Sequence, residues 1–163
     1  MDINDKATSV RCMLLPLTAL NLLVPNSAVA EIIGYSPPRP LTDCSDWFAG
    51  VVLWRGVYVP VVAVEQMCEI ATAAVGPRTR IAIIYNPEKD PDLPYIGIHM
   101  QDIPRAYLAD SDSTESGSSD GLGDYLLTRV DDEELARVIP DVDKIIAALK
   151  VEYNPQRLEE LTT

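Results

Sequence analysis

The chain has 163 residues, 47% of them hydrophobic, and 25 Asp and Glu against 13 Lys and Arg leave a net charge of −12. That length builds one domain of ordinary size or two small subdomains sharing a core. A surface this acidic repels phosphate backbones and anionic lipid, which argues against nucleic acid as a partner and against direct membrane insertion. Thirteen prolines and few helix-period runs point to a β-rich, loop-rich fold.

Residues 1–9 are polar. From Arg11 the sequence RCMLLPLTALNLLVPNSAVAE imitates a secretory signal with a cleavage site after Ala28-Val29-Ala30. The alternative it raises is a secreted or periplasmic β-domain, with residues 1–30 removed and Glu31 as the new N-terminus. Asp2 and Asp5 beside Lys6 leave the start without a clear positive charge, and Pro16 and Asn21 interrupt the apolar run. The same residues read better as two strands, 12–17 and 20–25, across a Thr18-Ala19 turn. Residues 27–33 form a further strand in which Glu31 is the only charge. A stiff Pro-rich connector, 35–40, follows.

The stretch 47–62, WFAGVVLWRGVYVPVV, is the most informative in the chain. Two apolar, β-branched runs, 51–54 and 57–62, meet at Arg55-Gly56, the signature of a hairpin with a two-residue turn. The turn places one cation among Trp54, Val57 and Tyr58. Strands apolar on both faces need cover on both sides, so the hairpin is expected at the centre of a β core with its turn open to a partner.

Beyond it, Val64, Met67 and Cys68 fall at helical intervals for a turn or two. Residues 80–85 and 95–100 read as buried strands around a Pro-rich loop, 86–94. Residues 103–108 read as the antiparallel neighbour of 95–100, with Pro104 marking an edge or bulge. The segment 109–124 carries five acidic residues, five Ser, three Gly and no basic residue, the composition of a flexible loop. Strands at 125–130 and 134–139 precede a helix, 142–149, capped by Asp141 with Val142, Ile145, Ile146 and Leu149 on its dry face. Residues 153–163 form a tail holding a short helix or nothing. Nine or ten strands without βαβ alternation make the chain mainly β, a barrel or a sandwich.

Catalytic and metal signatures are weak. Gly117-Ser118-Ser119-Asp120-Gly121 matches G-x-S-x-G but lacks the strand and helix that a nucleophile elbow requires. A hydrolase using Ser118 or Cys68 is therefore a distant reading. Asp110-Ser111-Asp112 begins like a calcium loop, yet Glu115 and Gly121 occupy the places of its Gly and its bidentate Glu. Cys12, Cys44 and Cys68 form no C-x-x-C pair and read as packed thiols. His99, the single histidine, sits at a strand position without a second imidazole. No catalytic residue, metal or cofactor is expected. Arg55 and Glu31 stand out instead, either as a structural ion pair or as charges at the rim of an apolar contact patch.

The series A-V-A-E-I-I, a Pro-containing connector and D-W-F-A-G-V-V-L-W-R-G-V-Y-V-P-V-V resembles the CheW-type coupling domain of bacterial chemosensory systems. In that family V-x-E-I leads to x-G-V-x-x-L-R-G-x-x-V-P-V-x-D. Val29, Glu31 and Ile32 match the first block; Gly50, Val51, Arg55, Gly56, Val59, Pro60 and Val61 match the second. Leu53 and Trp54 stand where the family usually has Asn and Leu, and Ala63 where an Asp often follows. Trp54 makes the hairpin resemble the adaptors of type IV pilus chemosensory operons. The resemblance implies two interlocked five-stranded SH3-like β-barrels with short helices, in a single domain over 10–152 with subdomains 10–80 and 81–152. It also implies a cytoplasmic, non-enzymatic adaptor that joins the cytoplasmic tip of a chemoreceptor to a CheA-type histidine kinase. The implied contact positions are Val29, Glu31, Gly50, Val51, Trp54, Arg55, Gly56 and Tyr58, with the hairpin face of Val51, Trp54 and Tyr58 supplying the buried area.

Overall fold

The computed structural model describes residues 9–109, 124–131 and 136–162. The acidic 110–123 stretch, with its G-x-S-x-G and calcium-like patterns, lies outside the described residues. In chain order the elements are β1 (Val10–Pro16), β2 (Leu20–Pro25), a 3-10 turn (Asn26–Ala28), β3 (Val29–Gly34), β4 (Phe48–Trp54) and β5 (Val57–Val62). Then come α1 (Val64–Met67), β6 (Arg80–Tyr85), β7 (Tyr95–Met100), β8 (Arg105–Ala109), β9 (Leu126–Asp131), β10 (Ala136–Pro140), α2 (Val142–Glu152) and a 3-10 segment (Pro155–Thr162).

The strands form two five-stranded sheets, ordered β8-β1-β2-β10-β9 and β3-β6-β7-β5-β4. Pairing is antiparallel except between β10 and β2 and between β5 and β7. The sheets do not divide the chain at residue 80. The first takes its strands from both sequence ends, and the second takes every strand between Val29 and Met100, so the chain leaves the first sheet, builds the second and returns. In neither sheet are the two outermost strands hydrogen-bonded to each other, so each SH3-like ladder stays open.

Two sequence expectations change here. The 103–108 strand does not pair with 95–100: β8 pairs with β1, placing Leu108 opposite Arg11. The Gln101 amide donates to the Pro16 carbonyl at 2.8 Å at the end of β1, and Asp102 holds the bend by accepting from Arg78 at 2.6 Å, which carries the chain across to the first sheet. The second change concerns the hairpin. It is not central, because β4 is the last strand of its sheet.

Its strands are nevertheless apolar on both faces for a reason visible in the cores. Val52, Trp54, Val59, Val61, Ile81 and Ile83 fill the interior of the second sheet, with Ala30 and Ile33 of β3 packed against them. Their alternating neighbours Val51, Val62, Ala82 and Ile84 face the other way, into a core shared with Leu15, Leu22 and Val24 of the first sheet. Period-two alternation thus supplies two separate interiors from one strand. The segment that imitates a signal sequence provides β1, β2 and the head of β3, and it contributes Leu15 and Leu22, both fully buried. Helix α2 covers the shared core with Ile145, Ile146 and Leu149. The Asp141 side chain accepts from the Lys144 amide at 3.2 Å, the predicted cap, and the helix runs on to Glu152.

Glu65 has no counterpart in the sequence reading. It is 2% exposed on α1, and one carboxylate oxygen accepts from the Thr18 amide at 2.8 Å and the Ala19 amide at 3.1 Å. A buried carboxylate thereby satisfies the two donors of the β1–β2 turn and ties α1 to the first sheet. Glu65→Ala is expected to lower stability by about 2–3 kcal/mol, because it removes the two hydrogen bonds to a charged acceptor that tie α1 to the β1–β2 turn. Glu65→Gln, which keeps an acceptor oxygen, should lose clearly less; urea unfolding of both variants checks the order.

Candidate functional site

The β4–β5 turn has φ of 48° at Arg55 and 78° at Gly56, the paired positive values that a type I′ hairpin requires. Gly56 adopts this at no steric cost, whereas an Arg in the left-handed region costs about 1 kcal/mol. The Arg55 side chain is fixed from two sides. Its Nη2 donates to Glu31 Oε1 at 3.0 Å, and its guanidinium lies 5.0 Å from the centre of the Trp54 ring.

Glu31 also accepts from Trp54 Nε1 at 2.6 Å. Glu31 belongs to β3 and Trp54 to β4, the two unpaired margins of the second sheet. Side chains therefore close at this end the seam that the backbone ladder leaves open. The Trp54 hydrogen bond first, and the Arg55 hydrogen bond and charge after it, hold the Glu31 carboxyl below its ordinary range. Further along the seam the connector does the same work through its backbone. Arg39 and Val51 exchange both hydrogen bonds, at 2.8 and 2.9 Å, beside a bulge at Gly50. Gly50 has φ of 129°, and a Cβ there would lie 2.3 Å from the Arg39 carbonyl oxygen, so only glycine lets the connector approach.

The expected contact positions thus separate. Glu31, Trp54 and Arg55 come together as one clasp with Gly56 at its tip. Val29 and Tyr58 are partly buried and pack on the shared core, and Gly50 serves the seam. Val51 is fully buried and Trp54 is 8% exposed, so the expected apolar contact face of Val51, Trp54 and Tyr58 is largely core: the side chains needed to fill two interiors are not free for a partner. The exposed apolar side chains of the hairpin are Leu53 at 62% and Val57 at 38%.

An aromatic series missed in the sequence extends the site. Tyr95 meets the Trp54 ring edge-on at 4.9 Å, and Tyr85, opposite Tyr95 across β6 and β7, lies 5.7 Å further on. Beside them opens a groove of about 400 Å³ lined by Ser27, Tyr85, Pro87, Pro91, Pro94 and Tyr95. Its walls are firm. The buried Asn86 donates to the Leu93 carbonyl at 2.8 Å, and Lys150 of α2 binds Glu88 and Asp90, each at 2.9 Å. The signal available in the sequence was positional: Tyr85 and Tyr95 terminate two strands of equal length around one loop.

Little else at hand has chemical potential. His99 is half-buried with its ring edge-on to Tyr35 at 5.6 Å, and burial lowers its pKa. The three cysteines are free thiols, and burial pushes those of Cys12 and Cys68 up. Among the described residues no three His, Cys, Asp or Glu side chains gather as a metal site, and no helix is long and apolar enough to cross a membrane.

The clasp has a pH signature. A carboxyl whose folded pKa is depressed adds stability above its unfolded pKa and loses it as the pH falls through the folded value. The Glu31 contribution is therefore full at neutral pH and disappears in the acid range below the usual carboxylate pKa. Carboxyl-carbon NMR titration should find Glu31 protonating below an ordinary glutamate in the native protein. In Trp54→Phe, which keeps an aromatic ring but removes the donor, the titration should move back toward the ordinary value.

Comparison with known proteins places this geometry. The family model for the CheW-like domain matches residues 11–150. The crystal structure of the scaffolding protein TtCheW from Thermoanaerobacter tengcongensis superposes with a TM-score of 0.69 at 13% identity, over 80% of this chain and 83% of that one. Comparison with curated proteins gives no match. The seam glycine, the hairpin and the paired sheets thus lie within a matched span covering most of the chain, and the chain belongs to the CheW-like family of non-enzymatic scaffolding adaptors.

Proposed function

We propose that this adaptor works in the cytoplasm and couples the cytoplasmic tip of a chemoreceptor to a CheA-type histidine kinase, with the hairpin end of the second sheet as a principal contact. The observation that carries this reading is the preset state of Arg55. Its side chain is 68% exposed yet held by Glu31 and Trp54, at the turn of a hairpin that also exposes Leu53 on one face and Val57 on the other. A long side chain already fixed loses little further freedom on binding, which favours affinity. The guanidinium donors not used by Glu31 suit an acceptor on the partner, and the flanking apolar side chains supply area to be dried.

The roles divide by physics. Leu53, Val57 and the Tyr85–Tyr95 groove would contribute apolar burial, while Arg55 sets register and disfavours wrongly placed partners. An acidic protein with a fixed cation at one contact also has an orientation preference before touching, since the rest of its surface repels acidic partners. The Trp54 resemblance further points to type IV pilus motility as the output, for which a deletion strain scored for twitching against swimming is the test.

Arg55→Ala separates binding from folding, because Trp54 still donates to Glu31 and the seam stays closed. Affinity for the kinase or receptor fragment should fall roughly ten- to hundred-fold, with the melting temperature within a few degrees of wild type. Undiminished binding of both fragments by this variant would overturn the proposal.

A further inference from the structure

The 3-10 segment Pro155–Thr162 is eight residues long, whereas such helices seldom exceed three or four residues because their hydrogen-bond geometry is poor. Tertiary contacts must therefore hold it, and they converge on residues 39–45, the end of the connector and the turn that follows it. Arg157 is at the centre. Its Nε donates to Glu160 at 2.8 Å, its Nη1 to the Cys44 sulfur at 3.3 Å, and its Nη2 to the Thr42 carbonyl. Glu160 in turn accepts from the Thr42 amide at 3.0 Å and the Thr42 hydroxyl at 2.7 Å. Arg39 donates to the Leu161 carbonyl at 2.7 Å, and beside these contacts the Ser45 amide donates to Glu152 at the end of α2 at 2.6 Å. Arg157 and then the Thr42 donors hold the Glu160 carboxyl at about 2, so the latch is charged at any ordinary pH.

Two features set these contacts apart from the core. They are charge-assisted and mostly near solvent, and their apolar part is limited to the partly buried Leu158 and Leu161. They also grip the residues that fill the seam: the Arg39 whose side chain binds Leu161 is the Arg39 whose backbone pairs with Val51. We propose that Pro155–Thr162 is a releasable strap. Bound, it presses the connector into the seam and fixes β4; released, it lets Arg39 part from Val51 and loosens the hairpin that carries Trp54 and Arg55. Segments with few buried apolar contacts open independently of the global transition, which is what such a device requires. The strap is a property of the fold and does not rest on the identity of the partner.

Amide hydrogen exchange on the full chain tests it without any ligand. Arg157→Ala cuts the latch at its centre, and Thr42→Val removes one hydroxyl while leaving the fold otherwise intact. The Arg39 and Val51 amides should exchange at least about ten-fold faster in Arg157→Ala and severalfold faster in Thr42→Val, while Ile83 and Ile98 keep their wild-type rates. Unchanged protection of Val51 in both variants overturns the strap. Uniform acceleration across both sheets overturns it equally, because the latch would then be an ordinary part of global stability.

Discussion

A strand at the margin of a sheet presents unpaired backbone donors and acceptors, and a sheet curled around its own interior must bring two such margins together. In the second sheet those margins are β3 and β4, and at the hairpin end one carboxylate joins them. Glu31 accepts from Trp54 and Arg55 at once, and so joins two strands that share no ladder. Because the Trp54 ring is itself part of the sheet interior, the clasp links closure of the seam to packing of the core. The same contact fixes Arg55 above the ring, so closing the fold and presenting the cation are one event.

The remainder of the molecule supports that closure. The connector enters the seam where glycine permits it, and its backbone occupies the edge of β4 that another chain could otherwise pair with. The shared core then sets the position of the second sheet on the first, since alternate residues of β4, β5 and β6 belong to it. Helix α2 and the buried Glu65 complete the cover from outside, one by apolar area and the other by satisfying a turn.

The charge distribution has the same logic. At the hairpin end the carboxylates that bear on the site are engaged: Glu31 by Arg55 and Trp54, Glu88 and Asp90 by Lys150. Exposed pairs of this kind add little to stability. Glu31 fixes the Arg55 guanidinium while leaving its side chain 68% exposed on an acidic molecule.

Much of this was legible from residues alone. Strand after strand was marked by β-branched runs and turn chemistry, Arg55-Gly56 announced its hairpin, Asp141 capped its helix, and the blocks around Glu31 and Arg55 pointed to the family. These features are local, decided by dihedral preferences and side-chain period within a few residues of one another. Only the tertiary structure decided which margin β8 joins, that Val51 and Trp54 are needed inside while Leu53 and Val57 are left outside, and that Glu65 and Arg157 anchor distant segments. Those outcomes depend on which backbone edges and apolar faces stay uncovered once every other element is placed. Trp54 and Glu31 meet across 23 residues of chain because the curl of the sheet brings them together, and no spacing in the sequence encodes that meeting.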